Sequence, residues 1–207
     1  MVLGPGPAGP LFTAAIAALR PAFSFRAEAP IRAKAFDLIR SAAAALKPAL
    51  IATPSDAPTV LAADALTEQL YFASGALHTN NEPHPTANQK TQWFTDAIGA
   101  LENLTAVRHP HSCYQLLETL EFLIDENPAR VFYAIAATIK SDSNFRYESL
   151  GSDAATRIAD RYIAEHRQLF LAQSNALTEL RRILETFATI GWPSALHLSY
   201  SLGDIFR

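Results

Sequence analysis

The sequence predicts an all-α fold, on three observations. Apolar residues recur at i, i+3, i+4 and i+7 through most of the chain, as in Cys113, Leu116, Leu117, Leu120, Leu123 and Ile124, the spacing that lines one face of a helix. No segment sustains the period-two alternation of a half-buried strand. Prolines stand where helices can open, notably Pro30, Pro128 and Pro193, because a first helical residue needs no N–H. With 49% hydrophobic and 18% charged residues among 207, the chain has material for the core of one or two ordinary domains.

The elements follow in order. Residues 1–10 are rich in Gly and Pro and read as a linker arm. Gly4-Pro-Gly6-Pro-Ala-Gly9 matches the letters of the dinucleotide fingerprint, but no strand precedes it and its prolines remove the donors that a pyrophosphate would need. Leu11–Leu19 suits a short helix ended by Pro21. Pro30 opens a longer one with Ile31, Ala35, Leu38, Ile39, Ala42 and Leu46 as its apolar stripe, and Pro48 is expected to kink or stop it. A helix over about 59–77 places Leu61, Ala65, Leu66, Leu70 and Ala73 inward. The polar, two-proline stretch His78–Thr86 is the clearest loop. It divides a single helical domain, 11–207, into an N-terminal layer over 11–78 and a main layer over 87–207.

A helix over about 87–106 buries Trp93, Phe94, Ile98, Leu101 and Leu104, and the Arg108–His111 turn leads into a central hairpin. In its first arm Gln115, Glu118, Glu121 and Asp125 fall opposite the apolar face. Its second arm, Val131–Ile139, has almost no polar face, which predicts a helix surrounded by others. Asn127 can cap that helix, with Pro128 in its first position. Ser141–Ser152 reads as a second polar loop. Asp153 is a candidate cap for a helix burying Ala155, Ile158, Ala159, Tyr162, Ile163, His166 and Phe170. Ser174 or Asn175 opens the next, with Leu177, Leu180, Leu184 and Phe187 inward and Gly191 at its left-handed end. Trp192-Pro193 starts a last helix bearing Leu198, Leu202, Ile205 and Phe206.

Helix starts near 31, 59, 88, 111, 128, 153, 175 and 193 pair into hairpins repeating on the order of 40 to 50 residues. In that cadence, residues 30–207 resemble a HEAT-like or armadillo-like α-solenoid, an α-α superhelix of antiparallel hairpins; an irregular multi-helix bundle is the alternative. Within it Asp125-Glu-Asn-Pro128, Tyr147-Glu-Ser-Leu150, Asp160-Arg-Tyr-Ile163 and Gly191-Trp-Pro-Ser194 are similar to the C-terminal helical tail of large bacterial ATP-binding proteins of unassigned function. That resemblance implies a part of, or partner to, a larger bacterial protein, and brings no catalytic motif with it.

Composition narrows the function classes. A net charge of −3 and pI near 6.1 give no attraction to phosphate backbones or anionic membranes, so neither nucleic acid nor membrane is an expected partner. No run reaches the eighteen or so apolar residues of a membrane span. Thr13–Leu19 resembles a signal core but no Lys or Arg precedes it. The single cysteine, Cys113, precludes an internal disulfide. A cytoplasmic protein is expected, in which Asn103-Leu-Thr105 is an idle glycosylation match.

His109, His111 and Cys113 carry the ligand types that zinc prefers, yet they lack a fourth ligand. His78, Glu82 and His84 read as a solvated loop, and His166 as a hydrogen-bonded core histidine. The Glu-x-x-His pairs of di-iron bundles, His-Glu-x-x-His, the phosphate loop and the nucleophile elbow are all missing from the sequence. No cofactor is expected. Arg157, Arg161, Arg181 and Arg182 alternate with Asp153, Asp160, Glu165, Glu179 and Glu185, the pattern of a salt-bridged surface. Arg146, Tyr147 and Trp192 are the candidate interaction residues, being of the types that dominate interfaces, although Tyr147 and Trp192 would equally close the ends of a core. The first expectation is therefore a non-catalytic scaffold that holds a protein partner or another domain of a larger chain. The alternative is a helical ligand-binding protein or enzyme with an apolar pocket between Trp93, Phe94, Tyr114, Phe132 and Tyr133.

Overall fold

The computed structural model describes residues 8–74, 84–140 and 149–205. Among them the chain is all helical, without a strand: α1 (Ala8–Ala18), α2 (Arg20–Phe23), α3 (Ala29–Ala52), α4 (Ala57–Ser74), α5 (Ala87–Leu104), α6 (Pro110–Phe122), α7 (Pro128–Lys140), α8 (Ser149–Glu165), α9 (Arg167–Ala172), α10 (Ser174–Thr189) and α11 (Pro193–Ile205). A 3-10 turn, Ile124–Glu126, joins α6 to α7.

Local chemistry sets several of the boundaries. Thr86 and Gln89 form a reciprocal capping box at the start of α5. The Asn127 side-chain oxygen accepts the Arg130 N–H at 3.0 Å, capping α7 with Pro128 in first place. Gly191 has φ +84°, and two backbone bonds close the end of α10 around it, Trp192 N–H to Phe187 O and Gly191 N–H to Ala188 O, each 3.0 Å.

Helices two places apart in the chain lie side by side: α3 on α5, α4 on α6, and α6 on α8. α7 packs on α6 and α10, and α11 closes on α10 and α8. One continuous core runs from Ile16 to Leu202, so the segment before residue 78 and the segment after residue 87 share a single interior. Between them, Arg32 of α3 bonds Asp96 of α5 at 2.8 Å, and the Trp93 indole N–H donates to the Phe23 carbonyl at 2.7 Å.

Several expectations are corrected. The arm expected over 1–10 is helical from Ala8 onward. Pro21 does not only end a helix; it sits in the first turn of α2. α3 runs through Pro48 to Ala52, because Leu50, buried beyond the proline, keeps the last turn in the core. Its inward face is also rotated from the expected stripe: Arg32, Ala35, Phe36, Ile39, Ala43 and Leu50 are buried, whereas Ile31 and Leu38 are more than half exposed. Packing of α3 against α5, α4 and α2 selects that sector, in which Phe36 meets Trp93 edge-on at 5.3 Å. Leu61 of α4 is likewise exposed.

α8 begins at Ser149, so Asp153 lies inside the helix and caps nothing. The single helix expected to bury residues from Ala155 to Phe170 breaks at His166, and in α9 Phe170 meets Phe132 (5.1 Å) and Tyr162 (6.1 Å) edge-on. Gln115, expected on the polar face of α6, is buried because its amide accepts the Thr67 hydroxyl at 2.9 Å and meets the His111 ring at 2.9 Å. α7 is buried over Val131, Phe132, Ala134, Ile135, Ala136, Thr138 and Ile139, is half-buried at Pro128 and Ala129, and is exposed at Arg130, Tyr133 and Ala137.

Candidate interaction groove

The exposed strip of α7 follows from helix geometry. Arg130, Tyr133 and Ala137 are spaced i, i+3 and i+7, so they stack on one side of a helix that is buried at the intervening positions. α5 and α10 rise on either side. Two shallow hollows meet on Tyr133 and Ala137: one of about 380 Å3 reaches to Glu102 of α5 and Thr105 just past its end, and one of about 360 Å3 reaches to Asn175, Thr178 and Glu179 of α10. The floor is apolar and small-chained, and a hydroxyl, an amide or a carboxylate stands at each rim.

Ion pairs hold both rims. Arg130 grips Glu102 with two bonds, 2.6 and 2.8 Å, and the hydrogen bond to Glu102 raises the guanidinium pKa above its ordinary value. On the other side Arg182 bonds Glu179 at 2.7 Å and donates to the Ala136 carbonyl at 2.8 Å, which ties α10 to the backbone of α7. The Tyr133 hydroxyl donates to Gln173 at 3.1 Å. Each carboxylate at the rims thus has a cation beside it, so the groove presents a nearly neutral surface.

A second polar region runs along α6 and α8. Arg157 bonds Glu121 and Glu118 and lies 3.7 Å from Asp153; its pKa is raised, chiefly by the Glu121 hydrogen bond. Arg161 spans both Asp125 oxygens (3.0 and 2.9 Å), Glu165 (2.8 Å) and the Glu121 carbonyl (3.0 Å). Burial lowers the Arg161 pKa, but Glu165 and Asp125 outweigh it and the net shift is upward. Of the arginines expected to form a salt-bridged surface, Arg157, Arg161 and Arg182 do so. Asp125, Glu165 and His166 come close enough together to hold a metal ion, but the Arg161 guanidinium already occupies both carboxylates.

The sequence-predicted site residues fall in different places. His109 Nδ1 stands 3.3 Å from Asp64, His111 meets Gln115, and the buried Cys113 thiol donates to the Val107 carbonyl at 3.4 Å. The three therefore turn to three different neighbours. Trp192 is partly buried and packs against the core at the α10–α11 turn. Arg146 and Tyr147 lie outside the described residues, as does most of the His78–Thr86 loop. Of the five aromatics expected around one pocket, Trp93 pairs with Phe36, Tyr114 with Tyr71, and Phe132 with Tyr162 and Phe170, while Tyr133 faces the groove. Phe132 also meets the Tyr133 ring edge-on at 5.8 Å, while Trp93 and Tyr114 belong to separate clusters.

Sequence reasoning missed the contact of Asp64 with both Ser112 and His109 across α4 and α6. The residue types are those of a hydrolytic triad, but the arrangement is not: the Ser112 hydroxyl donates its hydrogen bond to Asp64 rather than to the imidazole, and Ser112 is completely buried. The contact ties α6 to α4. It spans 48 residues of sequence, and no local spacing signals it.

No family model, no curated protein and no solved structure matches this chain. No helix among the described residues is long and apolar enough to cross a membrane.

Proposed function

We propose that the chain is a non-catalytic helical interaction module, a short HEAT-like α-α superhelix that holds a protein partner, or another part of a larger chain, in the groove along α7. The observation that carries the reading is the exposed strip of α7, Arg130–Tyr133–Ala137, on a helix whose other described residues from Val131 to Ile139 are buried. A tyrosine at the centre of a small-residue floor suits a docking helix: Ala136 and Ala137 allow close approach, and Tyr133 offers a large rigid contact with a polar tip. The superhelix reading draws support from the side-by-side packing of alternate helices, α3 on α5 and α4 on α6 on α8, the arrangement by which stacked hairpins build two layers.

Ala137→Arg fills the groove from an exposed position without touching the core. In parallel pull-downs from the native source, read by mass spectrometry, the wild-type chain is expected to retain a protein that Ala137→Arg loses, with unchanged circular dichroism and melting temperature. Retention of the same protein by both chains would remove the groove as the docking surface.

A further inference from the structure

No further inference is drawn: the strongest candidate, the cleft between α8 and α11 where Asp153 and Asp160 stand with Arg157 and His197 around a hollow of about 630 Å3, is an acidic cluster with no second observation in the structure that points to a ligand.

Discussion

Arg32 of α3, only 3% exposed, donates its Nε–H to Asp96 of α5 at 2.8 Å, and its other nitrogens reach the Ala27 carbonyl and Gln92. This charge sits where α3 meets α5. Arginine does not give up its proton in a protein, so removing the carboxylate leaves an uncompensated buried cation. Asp96→Ala should therefore destabilise the fold by about 3 kcal/mol, whereas Arg32→Met, which removes the charge and keeps the stem, should cost less. Urea midpoints for the two variants make the comparison. An Asp96→Ala effect smaller than that of Arg32→Met would show that the guanidinium is solvated.

Ile135 and Tyr133 lie two residues apart on α7 and face opposite environments, 1% and 38% exposed. Ile135→Asp places an unpaired carboxylate in the core and is expected to cost about 4 kcal/mol. Tyr133→Ala loses one hydroxyl bond and part of a surface contact, so a loss of about 1 kcal/mol is expected. Chemical denaturation with equal m-values tests both. Similar losses at the two positions would mean that α7 is not oriented as described.

Tyr162 donates its hydroxyl to the Pro128 carbonyl at 2.9 Å, and burial raises its pKa well above the usual tyrosine value. Tyr71 is also raised, first by burial and then by its hydrogen bond to Tyr114. The unfolded chain releases these protons near pH 10 while the folded chain holds them, so their stabilising effect is complete below about pH 10 and is lost as pH rises further. Tyr162→Phe should cost about 1 kcal/mol at neutral pH through the lost bond. Between about pH 9 and pH 11 the gap between variant and wild type should then narrow. A gap that stays constant over that range would contradict the burial of this hydroxyl.

His109, His111 and Cys113 each engage a different neighbour. Purified protein is expected to carry no stoichiometric zinc or iron, and chelator should leave its melting temperature unchanged. A structural zinc would behave otherwise, because its binding energy is part of the folding energy. Alanine at His109 or His111 should cost about 1 kcal/mol or less, as for surface polar contacts. Elemental analysis finding about one metal per chain, lost on replacing any of the three, would place a metal-dependent role ahead of the interaction module.

The sequence by itself determined the helical class, most helix positions from α4 onward, the caps at Asn127 and Gly191, and the inward faces of α5 and α6 apart from Gln115. These rest on local forces: periodic burial, proline's missing N–H, a side-chain cap within one turn, and a glycine that tolerates φ +84°. Only the tertiary structure decided which sector of α3 is buried, since its apolar residues allow more than one stripe and Phe36 meeting Trp93 selects between them. The same holds for the passage of α3 through Pro48, where burial of Leu50 offsets a local penalty. It holds again for Gln115, Asp64 and Ser112, whose partners lie 48 residues away. The groove on α7 is the clearest case. A run of apolar residues predicts a fully enclosed helix, but whether Tyr133 and Ala137 are covered depends on how far apart α5 and α10 stand, and that distance is set by packing in the whole core rather than by any residue of α7 itself.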